Sequence, residues 1–359
     1  MSPCKSVDVS LDILFTIIEE IGMQHTPDFD LLWAFCSTCR TLRPHAQKFL
    51  FHSISLELNT WAPCAPGFSI GIFWEHMQFI VKGNPHVAAH VKNLQFRTGL
   101  TANIPPKVID LLSQFTNLST LRCGYEERYA GWDILQESHK QWWESVVRLP
   151  SLTSLQIVNF WGMPISVIFP CMNLNALCID ECSTFSEPQS GGSLETISHL
   201  PLTNIVSVQT ARDFSSLDPL FTVYPSIGVP LMDKNNVKSL FLPRIWDNEC
   251  AKLKDFPSLR SFDVDISLLK HANSLFGNFH LSSLRSLDSL GMEFNFDLGL
   301  RTVYPSMALA AALTIPPGFP ALSRVTITMS LDSRGYPAIK DSVNEELAKL
   351  DQLFYKADG

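Results

Sequence analysis

The chain has 359 residues, of which 46% are hydrophobic and only 17% charged, with a formal net charge of -8. A chain this apolar can offset its ordering entropy, which excludes a disordered polyelectrolyte. With no long Lys/Arg run, it also lacks the concentrated basic face that nucleic acid requires. The length suits one large solenoid, or a small module followed by a larger domain.

Residues 1–10, MSPCKSVDVS, lack the apolar core of a signal peptide, and no stretch approaches about 20 uninterrupted apolar residues. Nine cysteines without framework spacing then predict reduced thiols, a cytoplasmic or nuclear protein and no membrane contact. The lone sequon Asn117-Leu118-Ser119 reads as a chance match.

Residues 11–56 form the first region. Ile13, Leu14, Ile17, Ile18 and Ile21 recur at helical spacing, and Gly22 can end that helix. A second apolar stretch, Leu31-Leu32-Trp33-Ala34-Phe35-Cys36, leads to Cys39-Arg40. Pro44 suits the first turn of a third helix containing Ala46, Phe49 and Leu50. Ile54, Leu56 and Leu58 alternate and predict a strand.

After residue 90 a pattern recurs: apolar, two residues, apolar, one residue, apolar. Its copies are Val91-Leu94-Phe96, Leu118-Leu121-Cys123, Leu152-Leu155-Ile157, Leu174-Leu177-Ile179, Val237-Leu240-Leu242, Leu259-Phe262-Val264, Leu287-Leu290-Met292 and Leu322-Val325-Ile327. A degenerate copy starts at Leu202 with Ile205. Several gaps between copies match the roughly 20–29 residues of a leucine-rich repeat, and the longer ones need insertions. The last two apolar residues of each copy are two apart on a strand, so both point inward, and stacking buries a face that no single unit can cover. Helical segments at Phe73–Val81, Lys107–Phe115, Ile134–Leu149, Glu249–Phe256 and Leu268–Phe276 fill the gaps and would form the convex side. Residues 183–193 read as a loop, and a helix over Ile339–Tyr355 would cap the far end.

The first region resembles the F-box. The stretches that carry the resemblance are Val9-Ser10-Leu11-Asp12-Ile13-Leu14, Cys36-Ser37-Thr38-Cys39-Arg40 and Phe49-Leu50-Phe51-His52-Ser53-Ile54. Val9-Ser10 stands at the family's Leu-Pro opening, and Leu42 stands at the Trp position that follows Cys-Arg. An F-box followed at once by irregular leucine-rich repeats is similar in order to the F-box/leucine-rich-repeat proteins. The resemblance implies an α/β fold: an F-box-like helical module over residues 1–56, a leucine-rich-repeat-like solenoid over 57–338 with parallel strands on its concave side, and a capping helix and tail over 339–359.

It also implies the substrate-recognition subunit of an SCF-type (Skp–cullin–F-box) ubiquitin ligase. The F-box would dock on a Skp-type adaptor, and through it on a cullin, while the repeats hold a protein substrate beside chemistry done by other subunits. Val9, Ser10, Leu11, Leu14, Ile17, Ile18, Phe35, Cys39 and Leu42 are the adaptor-binding candidates. No catalytic residue, cofactor or metal is expected. The alternatives are a repeat scaffold whose N-terminal helices only cap the solenoid, and an enzyme on an irregular α/β fold. An adaptor-binding module must leave apolar surface open, whereas a cap would bury it.

Other motifs read as structural. Cys36-x-x-Cys39 lacks the second ligand pair of a zinc site, so buried thiols are expected. His86 and His90 are four apart but lack the Glu of a metalloprotease helix. Trp142-Trp143, with Leu135, Val146 and Leu149, suits helix packing. Asp263 and Asp265 share a strand face without a second cluster that would support catalysis. No glycine-rich phosphate loop, nucleophile elbow or kinase signature occurs. Strand positions that alternate with the inward pair must face solvent, which assigns substrate contacts to Arg97, Arg122, Gln156, Asp180, Asp263, Asp265, Glu293 and Arg324, with Gln95 beside them. The early copies contribute Arg97 and Arg122 and the later ones carboxylates, which reads either as an ordinary solvated face or as a polarised groove whose acidic stretch would draw a basic segment of a partner.

Overall fold

The computed structural model describes residues 9–24, 27–57, 70–98, 104–125, 130–168, 170–180, 185–186, 207–210, 217–223, 230–242, 250–265, 286–296, 323–331 and 348–349. The chain forms two compact units, one of Met1–Met163 with Pro170–Asn173 and the other of Pro164–Phe169 with Leu174–Gly359. Both are mixed α/β with parallel strands. The expected boundary at residue 56 divides neither of them.

The first unit opens with helices α1 (Leu11–Gly22), α2 (Phe29–Thr38) and α3 (Arg43–Leu50). Ser10 caps α1 by accepting a hydrogen bond from the Asp12 amide, and Asp28 caps α2 by accepting from Leu31. Pro44 lies in the first turn of α3, where its missing N–H costs nothing. Ile18, Ile21, Leu32, Cys36, Leu42, Ala46 and Leu50 fill the space between the helices. Gly22 ends α1 for a packing reason: a β-carbon there would strike the ring of Phe49 on α3.

Strands and helices then alternate. They are β1 (Ser53–Glu57), β2 (Ile70–Phe73), α4 (Trp74–Gly83), α5 (His86–His90), β3 (Asn93–Thr98), α6 (Pro106–Leu112), β4 (Thr120–Tyr125), β5 (Ala130–Gly131), α7 (Glu137–Val146), β6 (Ser154–Val158) and β7 (Phe160–Trp161). The order across the unit's main sheet is β2-β1-β3-β4-β6, all parallel, and β5 pairs with β7 beside it. Ile54, Leu94, Leu121 and Leu155 form one buried row, and Leu56, Phe96, Cys123 and Ile157 the next. Each such side chain is worth about 1.5–3 kcal/mol of burial, and in rows the gain recurs with every strand added. The ring of Trp142 on α7 meets that of Phe96 at 5.9 Å, which places α7 against the apolar side of the strands.

The second unit carries β8 (Met163–Pro164, which straddles the division), β9 (Ala176–Asp180), β10 (Phe185–Ser186), β11 (Ser207–Thr210), α8 (Asp218–Phe221), β12 (Ser239–Leu242), β13 (Ser261–Asp265), β14 (Ser289–Phe296) and β15 (Arg324–Leu331). Its parallel order is β9-β11-β12-β13-β14-β15. Leu177, Val208, Leu240, Phe262, Leu290 and Val325 share one register row.

The last two apolar residues of all eight complete copies therefore fall on strands. The degenerate copy was placed three residues early: Val208, not Ile205, lies opposite Leu177 and Leu240. The strand expected from Ile54 and Leu56 is β1, but it was not counted as a copy, and β2 was not expected. Phe51, Ile54 and Leu56 form a buried copy of the pattern that puts β1 in the sheet, and β2 pairs on its outer side. The helix expected over Glu249–Phe256 is instead a 3₁₀ segment, Cys250–Asp255. The copies at 237 and 259 are only 22 residues apart, which leaves little chain for a longer crossing. The helix expected at Leu268–Phe276, most of the loop over 183–193 and the capping helix over 339–359, apart from residues 348–349, lie outside the described residues.

A backbone device accompanies six of the steps. The His52 carbonyl accepts from the amides of Lys92 and Asn93, that of Lys92 from Ser119 and Thr120, and that of Ser119 from Thr153 and Ser154. The second unit repeats it from Lys238 to Arg260 and Ser261, from Arg260 to Asp288 and Ser289, and from Asp288 to Ser323 and Arg324. The hydroxyls of Ser119, Thr153 and Ser323 add a third donor to the carbonyl behind them. One carbonyl thus fixes the next strand's entry and its register together.

Candidate functional site

Two surfaces hold the candidate residues. The first lies on α1 and α2. Helical geometry allows one side of α1 to face α3, and Leu14 and Phe15 are half-buried there beside Ile18 and Ile21. The flank of that stripe stays open: Ile13 is 54% and Ile17 40% exposed, one turn apart, with Val9 at 47% and Leu11 at 46% before them. On α2, Leu31 and Trp33 are exposed as well. Ring contacts between Phe15 and His45 at 4.8 Å, and a His45–Glu19 pair at 3.2 Å, tie α1 to α3.

Of the expected adaptor residues, Val9, Leu11 and Ile17 are thus exposed, and Ser10 is exposed but engaged as a cap. Leu14, Phe35 and Cys39 are half-buried. Ile18 and Leu42 are corrections as surface contacts, because both are buried in the module's own core. Ile13, Leu31 and Trp33 are exposed on the same helices and lie outside the expected set. For Ile13 the stripe was counted as one face although it is too wide for one neighbour to cover.

Cys36 is buried, its thiol 3.9 Å from the Arg43 carbonyl, and burial raises its pKa against a smaller opposing effect of Arg43. Cys39 follows α2, and hydrogen bonds from the backbone at Leu42, then Thr41, hold its thiol below the usual range. Among the described residues no group of three or more His, Cys, Asp or Glu is placed to hold a metal ion. Trp142 and Trp143 are core residues, as is His139, whose pKa burial lowers to about 4. No helix among the described residues is long and apolar enough to cross a membrane.

The second surface is the strand face opposite the apolar rows, taken within each unit. In the first, Gln95, Arg122 and Gln156 form one half-buried row. Arg97 lies in another row, between Glu57 and Gly124. Arg97 and Arg122 therefore do not stand side by side, and an acidic residue is the register partner of Arg97. In the second unit, Asp265 and Glu293 are register partners, about 5 Å apart between strands, and Asp263 is opposite Gly291. Asp263 is half-buried. Burial raises its carboxyl pKa, partly offset by the Ser261 hydroxyl donating at 3.5 Å. A β-carbon on Gly291 would land on that carboxylate, so the glycine is what lets Asp263 lean across β14. Asp180 is separated from β13 by β11 and β12. Arg324 is exposed and shares the entry row with Ser261 and Ser289. The expected acidic set thus contracts to Asp263, Asp265 and Glu293.

No protein-family model matches the chain, and no curated protein matches it. Among solved structures, an internalin from Listeria monocytogenes is similar over 88% of this chain and 92% of its own, at 11% identity and a TM-score of 0.24. A superposition that slight carries no inference about fold or activity.

Proposed function

We propose that the chain is a substrate receptor of an SCF-type ubiquitin ligase, with α1–α3 as its F-box and the strand repeats as a leucine-rich-repeat-like solenoid that holds the target protein. The observation that carries this reading is the apolar surface open at Val9, Leu11, Ile13, Ile17, Leu31 and Trp33, on helices that already enclose a core of their own. A module serving only as a cap has no use for that surface. Capping and presentation are divided in space: α3 packs towards α5, with Asn84 donating to Gln47 at 3.2 Å, while the open side chains are on α1 and α2. The repeating carbonyl device and the in-register apolar rows support the repeat reading.

The test is co-purification of the full chain with a Skp-type adaptor and cullin, alongside Leu11→Asp/Ile17→Asp. Both positions are exposed, unlike Leu14, so loss of capture can be separated from loss of fold. Capture by the native chain that is lost in the variant supports the proposal. Absence of capture, or capture indifferent to the variant, removes it.

A further inference from the structure

The carbonyl device places His52 and Lys92 at equivalent points of successive rungs, joined by the 2.9 Å hydrogen bond from the Lys92 amide to the His52 carbonyl. Each is preceded by a helix that ends beside it. Lys48 lies in the last turn of α3, one turn before His52, and α5 ends at His90, two residues before Lys92. α3 and α5 are in contact, so the two helix ends bring these four side chains to the same edge of the first unit. The charges that act on His52 are those of Lys92 and Lys48, and those that act on His90 are His86, Lys48 and Lys92. Among the described residues no carboxylate acts on either imidazole. The helix C-termini help to hold cations here, and the next rung of this unit carries Ser119 at the same point, so within the first unit the charge is confined to its first two rungs; Lys238 and Arg260 hold the equivalent points in the second unit. In a chain of net charge -8, such a local cationic cluster is out of keeping with its surroundings.

We propose that Lys48, His52, His90 and Lys92 form a docking surface for an acidic segment of a partner protein. The two ammonium groups supply the standing attraction. His90 is half-buried and His52 is exposed; desolvation first, then Lys92 and Lys48 at His52 and His86 with the two lysines at His90, holds both rings below their ordinary pKa, which favours their neutral form. Carboxylates placed among them favour the protonated rings, so binding takes up protons and strengthens as pH falls. The surface shares no residue with the open apolar side chains of α1 and α2, so this proposal and the adaptor reading fail separately.

The probe is a short fluorescein-labelled oligo-glutamate peptide titrated with the full chain and followed by anisotropy. Affinity is expected to rise about fivefold or more from about pH 7.5 to about pH 6, and to fall steeply between about 0.05 M and 0.3 M salt. Lys48→Glu/Lys92→Glu is expected to abolish binding, and the milder Lys48→Gln/Lys92→Gln to weaken it should the reversal impair folding. His52→Gln/His90→Gln is expected to keep the salt dependence and lose the pH gain. Absence of binding at both pH values, binding unmoved by the lysine variants, or a pH gain that survives the histidine variant would each overturn the assignment.

Discussion

The helical trio and the strand ladder use apolar residues in different ways. Along the ladder the inward pairs of β1, β3, β4 and β6 in the first unit, and the described inward side chains from Leu177 to Met292 in the second, are buried. In the trio, Ile18, Ile21 and Leu32 are buried while Ile13, Ile17 and Trp33 stay open. A strand offers two faces, and alternation sends each side chain wholly to one. A helix offers a continuum, and a stripe wider than its neighbour's footprint leaves a flank uncovered. Surplus apolar surface is therefore informative on α1 and α2 in a way that it cannot be on the strands.

The difference breaks most clearly at the ladder's centre. Phe96→Ala removes a fully buried ring that touches Trp142, and a loss of about 3–5 kcal/mol in denaturant unfolding of the full chain is expected. A loss below about 1 kcal/mol would mean that the rows are not a packed core. The layer above the ladder is equally dry. His139 is neutral in the fold, with a pKa near 4 against 6.5 ordinarily. The unfolded chain therefore binds the proton more readily between those values, so stability is whole above about pH 6.5 and drains as pH falls towards 4, by up to about 3 kcal/mol. His139→Leu should flatten that part of the pH–stability curve, and an unchanged slope would place the imidazole in contact with water.

Most of the ladder was legible in the sequence because its signal is repeated: a buried pair two residues apart returns at each rung, and errors in one copy are outvoted by the rest. The misplaced copy shows the limit. Val208 and Ile205 are both β-branched and apolar, and only pairing with Leu177 and Leu240 decides between them. β2 was missed because Ile70-Gly71-Ile72-Phe73 carries two alternating apolar positions and no complete copy. The candidate surfaces were less legible. Asp263, Asp265 and Glu293 converge only through register, whereas Asp180 has the same place on its strand and lies three strands away. The cationic edge joins Lys48 to Lys92 across 44 positions, and no local spacing announces it.

Gly22 sharpens the comparison from the helical side. Intrinsic propensity says that Gly22→Ala stabilises α1 by up to about 1 kcal/mol. The ring of Phe49 says the opposite, because the new methyl would meet the ring's root, Cβ and Cγ, which cannot swing aside. A net loss of about 1–3 kcal/mol is expected by thermal or urea unfolding. A gain would show that α1 is held loosely against α3 and that its exposed flank is no fixed feature of the surface.

The smallest effect on stability is expected where the comparison matters most for function. Ile17 is 40% exposed on α1, one turn from Ile13, and is not among the residues buried in the module's core. Ile17→Asp should therefore change unfolding free energy by no more than about 0.5 kcal/mol, the range of ordinary surface substitutions. Buried in an interface, the same carboxylate would lose its water without gaining a counter-charge, a cost of several kcal/mol that exceeds what a single apolar contact contributes. The two measurements diverge only if the flank is a contact surface. A variant that unfolds at the native midpoint and no longer co-purifies with the adaptor fits that reading. A variant that unfolds early shows instead that Ile17 belongs to the core, and the open face shrinks to Val9, Leu11 and Ile13 on the α1 side. A variant with native stability and native capture leaves the flank as solvated surface and moves the search for a partner to the ladder.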